Sequence, residues 1–141
     1  MENKDVKKIL GRFIFLREKN DGRISGFIRN GTVEGREAEK VTWIEQQLRK
    51  EREAGLLVQA VLDQIPDKAD KRILELRYLL GLRISEIVKE FFGHQQDFEE
   101  HSEAYRVEIL HRLDHALLAA AKVLRQLGLD NLPVDGKDPN E

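Results

Sequence analysis

The chain has 141 residues, of which 40% are hydrophobic and 35% are charged, with no cysteine and a formal net charge of −2. This length suits one domain with an appendage, and the lack of cysteine excludes disulfides, cysteine-based zinc fingers and thiol catalysis. No apolar run approaches the length of a membrane span, and the first residues do not resemble a secretory signal, so we expect a cytoplasmic protein without a membrane partner.

The first predicted helix covers roughly residues 4–19, where apolar side chains recur at helical spacing. Asn20-Asp21-Gly22 is typical of a helix end, and the four glycines between residues 20 and 37 disfavour a helix there. We interpret that stretch as a loop, with a small hairpin turning at Asn30-Gly31 as the alternative.

A long second helix is predicted over residues 38–65, where Pro66 ends it. Its apolar residues follow the alternating three- and four-residue steps of a coiled-coil seam, at Val41, Ile44, Leu48, Val58, Leu62 and Ile65. The stripe fits either a helix facing the protein's own core or a coiled coil between two copies. Glu51 and Gly55 interrupt the seam and weaken the second interpretation. We therefore predict an N-terminal helical region over residues 1–65. If the stripe forms a coiled coil between two copies, this region is also the dimerisation region.

Three more helices are predicted, over residues 68–80, 84–92 and 102–127. Asp67 fits the N-cap of the first of them, and glycines end all three, at Gly81, Gly93 and Gly128. The last helix has an apolar stripe, formed by Ile109, Leu113, Ala116, Leu117, Ala120, Val123, Leu124 and Leu127. The fold class is all-α, with a C-terminal bundle over residues 66–128 and a flexible acidic tail over residues 129–141.

Four segments of the C-terminal bundle form a pattern: Ile73-Leu74-Glu75-Leu76-Arg77-Tyr78-Leu79-Leu80-Gly81, Glu86-Ile87, Gly93 and Asp114-His115-Ala116-Leu117. The pattern resembles the sigma-70 region-4-like transcription regulators of Gram-positive phages and prophages, of the ArpU and RinA type. The resemblance implies a helix-turn-helix that binds double-stranded DNA and regulates transcription. It also implies a homodimer, whose two third helices would suit two half-sites, and RNA polymerase as a further partner.

In such a module the N-terminal turns of the third helix enter the major groove and offer side chains to base edges. Arg83 stands where the family has a Ser or Thr that caps the second helix. The resemblance therefore predicts six DNA-binding residues, which are Arg83, Tyr105, Arg106, His111, Arg112 and His115.

The turn before the third helix is about ten residues longer than in the family pattern, and this inserted stretch is acidic. Residues 66–127 carry ten Lys and Arg against eleven Asp and Glu, and carboxylates near a phosphate backbone oppose counterion release. The alternative is a helical protein-interaction module of the same ancestry that does not bind DNA. A basic face centred on Arg72, Arg77, Arg106 and Arg112 would favour DNA binding, whereas an exposed apolar face would favour the alternative.

All four histidines fall within residues 94–115, and His111 and His115 share a helical face at a spacing that suits zinc or nickel. Arg112 stands where metallopeptidases place a glutamate beside the first histidine of this spacing. We therefore predict surface or phosphate-facing histidines and no metal or other cofactor. No phosphate loop, nucleophile elbow or catalytic acid pair is found in the sequence, so we do not expect an enzyme.

Overall fold

The computed structural model describes the backbone of residues 2–30 and 37–129, with side chains for residues 2–26 and 39–129. Over these residues the fold is all-α, as predicted, and contains no strand. Five helices follow one another in the order α1 (Asn3–Asn30), α2 (Glu37–Asp63), α3 (Lys68–Tyr78), α4 (Ile84–Phe92) and α5 (Ser102–Gln126). The predicted acidic tail lies outside the described residues from position 130 onward. None of the described helices has an apolar stretch long enough to cross a bilayer.

A single apolar core takes side chains from all five helices. α5 is central to it because the apolar stripe between Ile109 and Leu124 is buried and the helix contacts α1, α2, α3 and α4. Leu127, the last predicted member of the stripe, is exposed. The predicted domain boundary after residue 65 falls in the turn between α2 and α3, and the division into domains stays a prediction.

α1 is longer than predicted, because it continues through Asn20-Asp21-Gly22 to Asn30. Asn20 is buried against α2, where its side-chain amide donates to the Gln47 carbonyl at 3.1 Å and to the Glu51 carboxylate at 3.2 Å. A glycine in a helix costs about 1 kcal/mol relative to alanine. Packing against α2 outweighs this local preference, so the prediction of a helix end at residue 20 was wrong.

The same helix overturns both interpretations of residues 20–30. The loop is replaced by helix, and the hairpin lacks its first arm because residues 24–28 are helical. The remaining part of that stretch, residues 31–36, lies outside the described residues.

α2 begins one residue before its predicted start and ends two residues before its predicted end. Its second half faces the core through Ala54, Val58, Val61 and Leu62, and Ile65 just after the helix is also buried, whereas no residue between 39 and 53 is buried. A Cβ at Gly55 would lie 3.0 Å from the ring of Phe13, so at this interruption of the seam a side chain of α1 packs closely against the backbone of α2. The coiled coil between two copies stays a prediction.

Local signals set the ends of the C-terminal helices. Asp67 is the N-cap of α3, as predicted, and its carboxylate accepts the Asp70 backbone N–H at 3.0 Å. Gly81 and Gly128 adopt φ values of +71° and +70°, which L-residues rarely adopt. After α5, the Gly128 N–H donates to the carbonyl of residue 125 and the next N–H to that of residue 124, the paired bonds of a Schellman motif.

The continuation of α1 gives a stability prediction. A Cβ at Gly22 meets no atom within 4 Å, so Gly22→Ala should raise the free energy of unfolding by about 1 kcal/mol in urea denaturation. Gly128→Ala is the contrasting variant and should destabilise the protein by about 1 kcal/mol because of the positive φ. A loss of stability in Gly22→Ala would contradict a helix through this position.

Candidate functional site

The expanded turn between α4 and α5 is closed by aromatic side chains. The ring of Tyr105 stacks on Phe92, with centroids 4.4 Å apart and planes 11° from parallel, and on Phe98, at 6.1 Å and 9°. The Tyr105 hydroxyl donates to Asp97 Oδ1 at 2.7 Å. These contacts fix residues 92–98 against the start of α5. We call the end of α4, the turn over residues 93–101 and the first half of α5 the turn face.

Tyr105 is held as a protonated donor. The hydrogen bond to Asp97 raises the pKa of its phenol above the usual value of 10.0, because the bond exists only while the phenol keeps its proton. Partial burial and the negative charges of Asp97 and Glu108 act in the same direction. The hydroxyl predicted to reach a base edge therefore already has an intramolecular acceptor.

Arg112 is also engaged within the protein. Its guanidinium lies 2.8 Å from the Glu108 carboxylate and sits over the rings of Phe91 and Phe92, at 5.9 and 5.6 Å from their centroids. Arg106 is half-buried and also takes part in an interaction within the protein. A DNA contact by Arg112 would have to replace an ion pair and two cation–π contacts.

His115 contacts α3 in the structure. Its Nδ1 lies 2.9 Å from Asp70 Oδ2, and Asp70 is 6% exposed while the imidazole is 71% exposed. The hydrogen bond to Asp70 and the charge of that carboxylate raise the pKa of His115, while desolvation and Lys122 oppose the shift. The contact therefore joins the middle of α5 to the first turn of α3.

The six predicted DNA-binding residues lie along α5 and at the start of α4. Tyr105 and Arg112 meet at the turn face, and His115 lies further along α5 against α3. His111 is exposed on α5, and Arg83 is exposed at the start of α4. α4 has nine residues, so about 13 Å of helix separates Arg83 from the turn face.

The four arginines expected to centre a basic face have other roles. Arg77 is buried and donates to the Leu82 carbonyl at 3.1 Å, inside the turn between α3 and α4. Arg72 lies 3.6 Å from Glu75 and 3.5 Å from Glu90. Since Arg112 is paired with Glu108 and Arg106 is engaged within the protein, each of the four arginines has a partner within the chain.

Carboxylates dominate the turn face instead. Five of them lie on the turn and the first half of α5, at Asp97, Glu99, Glu100, Glu103 and Glu108. In the described part of the chain, no group of three His, Asp or Glu side chains is placed to hold a metal ion.

Sequence reasoning missed two residues that organise this region. Asp70 was not singled out, because burial of a carboxylate in the first turn of α3 depends on where α5 packs. Phe98 was counted only as part of the acidic insert, although its place between Phe92 and Tyr105 in the sequence was a signal that the long turn has its own apolar contacts.

Comparisons with known protein families, curated proteins and solved structures found no match to this chain. The resemblance to sigma-like phage regulators therefore rests on the residue pattern alone and stays a prediction.

The aromatic stack can be tested by two substitutions at one position. Tyr105→Phe removes only the hydrogen bond to Asp97 and should cost about 1 kcal/mol in urea unfolding. Tyr105→Ala also removes the ring between Phe92 and Phe98 and should cost about 2–3 kcal/mol. Equal stability of the two variants would show that the stack does not hold the turn.

The contact between His115 and Asp70 predicts a pH dependence of stability. Because folding raises the pKa of His115, the stabilisation is fully present below about pH 6.5 and is lost as the pH rises through the folded-state value. In urea unfolding from pH 5.5 to 8.5, the deficit of His115→Gln relative to wild type should therefore shrink with increasing pH. His111→Gln, exposed one turn earlier, is the matched control. A deficit of constant size would contradict the assignment.

Proposed function

We propose that the C-terminal three helices form a protein-interaction module whose turn face binds a basic segment of another protein. The observation that carries the proposal is the charge of this face. Five carboxylates lie on the turn and the first half of α5, while Arg112 is paired with Glu108 and Arg106 is engaged within the protein.

This charge arrangement works against DNA binding by α5. Nonspecific DNA affinity comes from cations that displace condensed counterions from phosphates, and nearby carboxylates reduce this contribution. A bidentate arginine contact to guanine is worth about 1–3 kcal/mol, and here Arg112 would first have to leave Glu108, Phe91 and Phe92.

The same arrangement favours a basic amphipathic helix as partner. Phe91 and Phe92 are only half-buried, so parts of both rings remain open to contact beside the carboxylates. Apolar contact with these rings would supply affinity, while lysines and arginines of the partner would meet the carboxylates and accelerate encounter.

Two synthetic helical peptides test this proposal. Both carry the same apolar positions, but one has lysines and the other glutamates on its polar face. In fluorescence anisotropy we expect binding of the basic peptide only, with an affinity that falls as salt increases. The double variant Glu99→Lys/Glu100→Lys should weaken binding about tenfold, whereas Glu53→Lys, exposed on α2, should not. Equal binding of both peptides, or no effect of the double variant, would contradict the proposal.

DNA binding by a phage-type regulator is the second candidate function. Two observations favour it: the order α3, α4, α5 is that of the helix-turn-helix pattern, and residues 102–104 at the start of α5 are exposed, as a recognition helix requires.

A mobility-shift assay with promoter-proximal duplex DNA separates the two candidates. With an interaction module we expect at most weak retardation at low salt, unchanged by Arg106→Ala or Arg112→Ala and absent at moderate salt. Retardation that persists at moderate salt and is lost in either variant would establish DNA binding and overturn the interaction module.

A further inference from the structure

One face of α2 remains open to solvent along five residues that the core and the turn face do not use. Val41, Glu45, Leu48, Arg52 and Leu56 follow one another at steps of three or four residues and are all exposed. The three apolar members are large side chains with 53%, 39% and 64% exposure, in chain order. We call this set the α2 stripe.

The α2 stripe is not the coiled-coil seam predicted from the sequence. The second half of that seam is buried in the core at Val58, Leu62 and Ile65, and Gly55 faces the ring of Phe13. Of the seam residues only Val41 and Leu48 also belong to the stripe. Packing within the described part of the chain therefore accounts for the second half of the seam and leaves the stripe exposed.

The order of side chains along the stripe is self-complementary. It runs apolar, acidic, apolar, basic, apolar, with Leu48 at the centre. If two copies lie antiparallel with their Leu48 side chains in contact, Val41 of each copy faces Leu56 of the other, and Glu45 faces Arg52. A parallel arrangement in register would instead oppose Glu45 to Glu45 and Arg52 to Arg52.

We propose that a second copy of this chain docks antiparallel along the α2 stripe and forms a dimer with twofold symmetry. A twofold interface must be complementary to itself, and the charge order of the stripe meets this condition. The contact extends over the 15 residue steps from Val41 to Leu56, about 23 Å of helix, which is at the small end of specific interfaces. We therefore expect a dimer that dissociates on dilution. The proposal uses a different surface from the turn face and does not depend on the proposed function.

Sedimentation equilibrium of the full chain over a series of concentrations tests the apolar part of the stripe. Wild type should show a monomer–dimer equilibrium, and Leu48→Ser should raise the dissociation constant about tenfold or more. Leu118→Ser is the matched control, since Leu118 is an exposed leucine on α5 at 57%. A wild-type chain that stays monomeric throughout, or a dimer that Leu48→Ser leaves unchanged, would overturn the proposal.

A charge swap tests the antiparallel pairing. Glu45→Arg alone places arginine against Arg52, and Arg52→Glu alone places glutamate against Glu45, so each variant should dimerise less than wild type. An equimolar mixture of the two variants should regain association, because one copy is then wholly basic and the other wholly acidic along the stripe. Glu53→Arg makes the same charge change off the stripe and should have no effect. If the mixture associates no better than either variant alone, the antiparallel dimer is excluded, whatever the stability of the single variants.

Discussion

The buried stripe of α5, whose members run from Ile109 to Leu124 along one side of the helix, is removed from water by contacts with the four other helices. Full burial of each large aliphatic side chain contributes about 1.5–3 kcal/mol to the stability of the fold, so the other helices pack around this one face of α5. The same burial divides α5 into two parts. The buried stripe begins at Ile109, whereas residues 102–108 have no buried side chain and belong to the turn face.

The long turn before α5 is held in place by contacts of its own. The ring of Tyr105 stacks on Phe92 and on Phe98, and its hydroxyl donates to Asp97. These contacts have an electrostatic consequence. They hold Asp97 on the turn beside the start of α5, where Arg112 pairs with Glu108. Asp97 therefore both stabilises the turn and contributes to the negative charge of the turn face.

Periodicity and helix-end residues predicted α2 to α5 within two residues at each end, because these signals act over one or two turns of chain. Asp67 at the start of α3 and Gly128 after α5 are such cases. The predicted end of α1 was wrong because Asn20 and Gly22 favour a helix end locally. In the fold, the Asn20 side chain is instead hydrogen-bonded to Gln47 and Glu51 on α2, more than 25 positions away, and the helix continues. The same limit applied to the candidate site. The sequence identified the residue types, but it did not predict that Arg77 bonds to the Leu82 carbonyl or that His115 contacts Asp70.

The sequence by itself determined the all-α class, the helix order and the apolar stripe of α5, since these depend on side-chain spacing within single helices. It also determined that the turn before α5 is long and acidic. Only the tertiary structure decided that Arg77 is buried, that His115 contacts Asp70 and that the open face of α2 is the stripe centred on Leu48. The physical reason is that one helix can offer several faces, and only packing against the others determines which face is buried, which charges are paired and which side chains remain in water.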